Sequence, residues 1–124
     1  MSNNILSLHH CSVLVQDTAT ALKFYCGVLG MKENKTRPQL GYPGAWLDVG
    51  EQQIHLLELP NPDDMNKRPE HGGRDRHVAI LVASLSVVEA RLDEFGIGYS
   101  KSKSGRKALF CRDPDANAIE FIEL

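Results

Sequence analysis

The sequence predicts an α+β fold in which one domain is built from two βαβββ units, and two internal echoes carry that prediction. Ile54-His55-Leu56-Leu57-Glu58-Leu59 is matched by Ile119-Glu120-Phe121-Ile122-Glu123-Leu124 at an offset of 65. His10-Cys11-Ser12-Val13-Leu14-Val15 is matched by His77-Val78-Ala79-Ile80-Leu81-Val82 at an offset of 67. Two echoes at almost one offset describe a unit of about half the chain, used twice. The chain of 124 residues is one domain's worth. The expected layout is a single domain over 1–124, with unit one over 5–59, a linker over 60–76 and unit two over 77–124.

Each element follows from local chemistry. Leu8 to Val15 is β-branched and apolar, a strand closed by Gln16-Asp17. Asp17 can accept from free backbone N–H groups and so caps a helix running to Leu29. Ala21, Leu22, Tyr25, Val28 and Leu29 form its buried stripe, and Gly30 supplies the left-handed stop. Lys32 to Gln39 reads as a polar strand entering a loop, Gly41-Tyr42-Pro43-Gly44 as a turn. Ala45–Val49 and Gln53–Leu59 then pair as a hairpin through Gly50-Glu51. The Pro-, Gly- and charge-rich stretch 60–76 is a linker, long enough to cover a site. In the second unit, Ser86 and Glu89 fit a capping box. Leu85, Val88, Leu92 and Phe95 make a buried helix face ending at Gly96. Tyr99–Ser102, Ala108–Arg112 and the strand carrying Glu120 complete the plan, with turns at 103–106 and 113–117.

Composition excludes several classes. A net charge of -2 offers no basic patch for nucleic acid or an anionic membrane. No apolar run approaches the ~18 residues of a membrane span, and the first residues do not resemble a secretory leader. Cys11, Cys26 and Cys111 lack metal-type or disulfide-type spacing, which suits a reducing compartment, by default the cytoplasm.

His10, His55, His77 and Glu120 fall at the matched positions. Alternation along a strand selects His55 over Glu58 as the partner of Glu120. Taken singly, each has an ordinary reading as a hydrogen-bonded or solvated strand residue. Together they form an N3O set suited to a divalent transition metal, with positions left open for chemistry. His9 should point to the opposite face of its strand, and His71 should be solvated in the linker. Trp46 either lines the site or packs in the core. Arg74 and Arg76 either hold an anionic substrate or face water.

The segment from His10 to Asp17 with Phe24-Tyr25 and Leu29-Gly30-Met31, and the segment Arg112-Asp113-Pro114-Asp115-Ala116-Asn117-Ala118-Ile119-Glu120, resemble the opening and closing signatures of the vicinal oxygen chelate superfamily. That superfamily includes glyoxalase I, fosfomycin resistance proteins, bleomycin resistance proteins and extradiol dioxygenases. The resemblance spans the chain and implies curved mixed sheets around a metal-binding cleft. It implies a divalent ion (nickel, zinc, cobalt, manganese or iron) on His10, His77 and Glu120, with His55 at the fourth position. Two departures stand out: Ala116 where the family usually has Gly, and His55 where glyoxalase I has Glu. Glu120, the one carboxylate of the set, would then act as ligand and proton shuttle together.

The function this implies is a metal-dependent lyase or isomerase of the glyoxalase I type, acting on a small oxygen-rich substrate. The alternatives are a fosfomycin-type thiol transferase or an extradiol dioxygenase, and a non-enzymatic binding protein of the bleomycin-resistance kind. Lys103, Ser104 and Arg106 match the cationic, hydroxyl-bearing loop of the fosfomycin proteins or are a solvated turn. Relatives of this length imply a homodimer in which His10 and His55 of one chain meet His77 and Glu120 of the other.

Overall fold

Side-chain alternation along eight strands decides the architecture. The structure is a computed structural model that describes residues 4–124. Unit one runs β1 (His10–Leu14), α1 (Thr18–Leu22), a π-helical continuation (Lys23–Val28), β2 (Lys32–Asn34), β3 (Gly44–Val49) and β4 (Gln52–Leu57). Unit two runs β5 (His77–Val82), α2 (Leu85–Glu94), β6 (Ser100–Lys101), β7 (Ala108–Arg112) and β8 (Ala118–Glu123). Each unit is a four-stranded mixed sheet, ordered β1-β4-β3-β2 and β5-β8-β7-β6. The two βαβββ units of the sequence are therefore both present.

One face of each sheet is apolar and packs under the helices. Ala45, Leu47, Ile54 and Leu56 from unit one join Ile80, Leu109, Cys111, Ile119 and Phe121 from unit two in a single core with Tyr25 and Leu92. Each fully buried leucine among them contributes roughly 2 kcal/mol by leaving water. The other face carries His10, Trp46, Gln53 and His55 in one sheet, and His77, Phe110, Ala118 and Glu120 in the other.

The registers make the duplication concrete. In the parallel pair β1/β4, His10 lies opposite Gln53, two residues before His55. In β5/β8, His77 lies opposite Ala118, two residues before Glu120. Trp46 faces His55 across β3/β4, and Phe110 faces Glu120 across β7/β8. Trp46 and Phe110 are thus equivalent, a match the sequence reading missed because the aligned offset there is 64 rather than 65.

Asp17 caps α1 by accepting from Thr20 N at 2.8 Å, and Gly30 stops the helix at φ 77°. The helix between is not uniform: it widens after Leu22, and Leu29 N reaches back five residues to Phe24 O. The wider turn puts Phe24, Tyr25 and Val28 all on the buried side. The cap of α2 is Ser84, which accepts from Val87 N, rather than Ser86; Glu89 instead meets Lys101. Phe95 is half-exposed and leaves Leu85 and Leu92 to bury the face. β2 is shorter than its polar stretch suggested.

The linker is ordered by its own side chains. It folds into two 3-10 turns, Met65–Lys67 and Gly72–Arg74. The second sits so closely on β7 and β8 that a Cβ on Gly72 would press on Phe110 and Ala118. The units are bolted together by the 113–117 turn. Tyr25 donates to Asp113 at 2.7 Å, Asn117 Nδ2 donates to Leu14 O at 3.0 Å, and Gln16 N donates to Asp115 at 3.0 Å. Among the described residues no helix is long and apolar enough to cross a membrane.

Candidate functional site

Unit one presents a ladder of rings. Trp46, His55 and His10 come from adjacent strands, so cross-strand spacing stacks them. The centroids of His10 and His55 are 3.9 Å apart at 17°, and those of Trp46 and His55 are 4.5 Å apart at 10°. Trp46 therefore lies on the open face and not in the core. A polar chain behind the ladder fixes its middle ring. Asn34 Nδ2 and Gln53 Nε2 both donate to Asp48 Oδ1, at 3.0 and 3.4 Å. A carboxylate can only accept, so the Gln53 amide is turned with its oxygen toward His55, and His55 Nε2 must donate to it at 2.8 Å. Nδ1 of His55 keeps its lone pair. Burial, reinforced by neighbouring His10, His9 and Arg37, lowers the His55 pKa and favours the neutral ring that a metal requires.

His9 is not turned away as expected. It precedes β1, so strict alternation does not bind it, and its Nδ1 lies 2.8 Å from Nδ1 of His10. His71 is not free in solvent either. Its Nδ1 accepts from Gly73 N, its Nε2 donates to Lys101 O, and its ring meets Phe110 edge-on.

Unit two presents an imidazole beside a carboxylate. Glu120 is 3% exposed, and its Oε1 lies 3.2 Å from Nε2 of His77. His77 Nδ1 is 2.8 Å from the backbone carbonyl of Asp75 and must donate to it. In the neutral ring Nε2 is then an electron-pair donor facing a carboxylate oxygen, another electron-pair donor. Such a contact is favourable only with a cation shared between them, a proton or a metal ion. That donor set fits a divalent ion. The second carboxylate oxygen faces Arg106 Nη2 at 3.4 Å, and Ser104 Oγ accepts from Arg106 N and Nε. Ser104 and Arg106 thus stand as one unit beside Glu120, while Lys103 is solvated. Arg76 pairs with Asp63.

Behind His77 lies an ion cluster that the sequence did not reveal. Asp75 accepts from Arg68, from Arg112 Nη1 at 2.7 Å and from Arg76 N at 2.8 Å. Arg68, with Arg112 and the Arg76 amide, holds the Asp75 carboxyl far below the usual carboxylate range.

The four candidate ligands are therefore brought together as two pairs, His10 with His55 and His77 with Glu120. They do not gather on one point inside a chain: among the described residues no three His, Cys, Asp or Glu side chains form a metal cage. The echo matched His10 to His77 and His55 to Glu120 as equivalent positions of the two units; the pairs that meet in space lie within each unit, His10 with His55 and His77 with Glu120.

Two βαβββ sheets with paired donors on their open faces define the vicinal-oxygen-chelate class of fold. The chain belongs to the Glyoxalase/Bleomycin resistance protein/Dioxygenase superfamily, whose model matches residues 7–121. It is 34% identical to "Glyoxylase I 4" of Arabidopsis thaliana over 94% of this chain and 70% of the relative. It is 32% identical to a lactoylglutathione lyase of Haemophilus influenzae over 95% of this chain and 93% of that one. A crystal structure of a glyoxalase-family protein from Bacillus anthracis shares the fold with a TM-score of 0.82 at 25% identity, covering 99% and 98% of the two chains.

Proposed function

We propose that the protein is a metal-dependent lyase or isomerase of the glyoxalase I type, active as a homodimer whose two sites are each shared between chains. The observation that carries this reading is the split of the donors into two half-sites, each with its own orienting hydrogen bond. His10 and His55 of one chain would hold the ion together with His77 and Glu120 of the partner chain. Held there, a divalent ion would supply Lewis-acid stabilisation of oxyanionic charge on a substrate with adjacent oxygens. Glu120 takes and returns the substrate proton, its burial and its neighbour His77 keeping the carboxylate dry and directed. Arg106, held by Ser104, balances the charge of Glu120 and contacts the polar end of the substrate. Trp46 forms an apolar wall that keeps water from the reacting carbon. The relatives called glyoxylase I and lactoylglutathione lyase support a hemithioacetal as the first substrate to try.

Subunit complementation tests the reading. His10→Ala and Glu120→Ala should each be inactive with hemithioacetal in Ni2+- or Zn2+-loaded protein. Mixing them under subunit exchange makes half the dimers hetero, each with one intact site, and should restore about a quarter of wild-type activity. No recovery would place each site within a chain; inactivity of the wild type with hemithioacetal, with fosfomycin plus thiol and with catechol would favour a binding protein.

A further inference from the structure

Histidine that ligates a metal works only if the correct ring nitrogen is free, and something behind the ring must decide which. In unit two that something is a backbone carbonyl. Asp75 O takes the Nδ1 proton of His77 at 2.8 Å and leaves Nε2 toward Glu120. A loop carbonyl holds a ring only as well as the loop is held, and residue 75 ends the 3-10 turn of the linker.

Its side chain is where the loop is fastened. The two oxygens of Asp75 receive four donors: Arg68 Nε at 3.0 Å and Arg112 Nη1 at 2.7 Å on one, the other arm of Arg68 and the Arg76 amide on the second. Arg112 also donates to Ala116 O at 2.7 Å and to Pro69 O. One aspartate thereby ties the linker to the end of β7 and to the 113–117 turn. We propose that Asp75, locked by Arg68 and Arg112, is a positioning residue that fixes His77 in its Nδ1–H form and keeps Nε2 turned out as the electron-pair donor beside Glu120. This rests on the metal-site reading for its purpose, but not for its geometry. Unit one has a counterpart: Asp48, equivalent to Arg112 by strand register, starts the Gln53 chain that fixes the His55 tautomer.

Asp75→Asn is the sharp variant, because a carboxamide offers one acceptor oxygen and puts an NH2 group against the guanidinium donors. Long-range 15N–1H correlation of the imidazole rings in metal-free, 15N-labelled protein, at a pH where imidazole is neutral, reads the tautomer directly. The wild type should show His77 as Nδ1–H. Asp75→Asn should shift it toward Nε2–H, and Zn2+ affinity by calorimetric titration should fall 10- to 100-fold. Arg68→Lys keeps the charge and loses the fork, so it should give a smaller shift in the same direction; it decides the matter should Asp75→Asn fail to fold. Asp63→Asn, on the exposed ion pair with Arg76, should change neither reading. A wild-type His77 in the Nε2–H form, or an unchanged tautomer in both Asp75→Asn and Arg68→Lys, overturns the proposal. A tautomer shift in a protein whose wild type takes up no Zn2+ supports the clamp and removes the metal reading instead.

Discussion

The two units share a scaffold and divide the chemistry unequally. On the open face of unit one the donors are two stacked imidazoles with a tryptophan, oriented by an uncharged amide, and His10 is exposed. On that of unit two they are an imidazole and a carboxylate that is 3% exposed, with the linker turn packed on the same face at Phe110 and Ala118. Duplication conserves where a side chain points, since that follows from strand register; it leaves free what the side chain is. Each half pairs an exposed histidine, His10 or His77, with a buried group, His55 or Glu120, and the halves differ in what that buried group is, an imidazole in one and a carboxylate in the other.

That division makes the largest expected effect asymmetric. Glu120→Gln removes the one carboxylate in the set and should lower kcat by about 10³-fold, in the range general-base removal produces. His55→Gln should lower metal affinity yet leave a larger residual kcat once metal is in excess. Steady-state kinetics at saturating Ni2+ or Zn2+ check the order. Equal losses in the two variants would abolish the distinction between a binding half and a proton-moving half.

The next effect concerns stability. Asp75 is a buried acid with two arginines, and breaking such a cluster from one side leaves the arginines without their counter-charge. Asp75→Asn should cost about 3 kcal/mol at neutral pH in chemical denaturation. Because the folded-state pKa of Asp75 is depressed, its contribution is fully present above the unfolded value of about 4 and is lost as pH falls below it toward the folded value. The gap between wild type and Asp75→Asn should therefore narrow in acid. A gap that stays constant down to pH 3 would mean the cluster is not what fastens unit two.

A subtler contrast sits at one pair of equivalent positions. Gly44 faces Leu57 and Ala108 faces Ile122, so the register makes residues 44 and 108 counterparts. A methyl is accommodated at 108, 2% exposed. At 44 it would stand 2.2 Å from the carbonyl oxygen of Leu56. Gly44→Ala should thus cost about 2 kcal/mol by overpacking against backbone, although it only makes unit one resemble unit two. Ala108→Gly should cost about 1 kcal/mol. Thermal denaturation of both variants compares them; a neutral Gly44→Ala would show that the two sheets are built to one pattern after all.

These contrasts also mark what the sequence could and could not say. Strand content, both helix-stopping glycines and the four positions His10, His55, His77 and Glu120 were legible, because each follows from a period or from local turn chemistry. That His10 goes with His55 and His77 with Glu120 came only from the family resemblance. Phe110 as the counterpart of Trp46 was hidden by one inserted residue in the second hairpin. The Arg68–Asp75–Arg112 cluster was hidden for another reason. Its members come from a linker and a strand end, and ion pairing across 37 residues leaves no periodic trace. His9 and the π-helical turn escaped because both depart from regular geometry at element ends, where alternation stops being a guide.

The smallest expected effect falls at the one turn where the family resemblance and the residue disagree. Ala116 adopts φ 66°, a left-handed conformation in which its Cβ crowds the following carbonyl. The turn enforces it. Asp113 Oδ1 accepts from the amides of Asp115 and Asn117, and Ala116 N donates to Asp113 O. Glycine at 116 would relieve roughly 1–2 kcal/mol of crowding and give back about 0.5–1 kcal/mol in unfolded-state freedom. Ala116→Gly should therefore stabilise by under about 1 kcal/mol, a rise of a few degrees in Tm for a chain of this size. Gly50, at φ 58° in the two-residue turn of the first hairpin, already has the residue its backbone needs. Gly50→Ala should accordingly move Tm the other way. Opposite signs at the two hairpins would identify the second as the one still carrying strain, while a fall in Tm for Ala116→Gly would mean that the methyl group of Ala116 contributes more by packing than it costs in conformation.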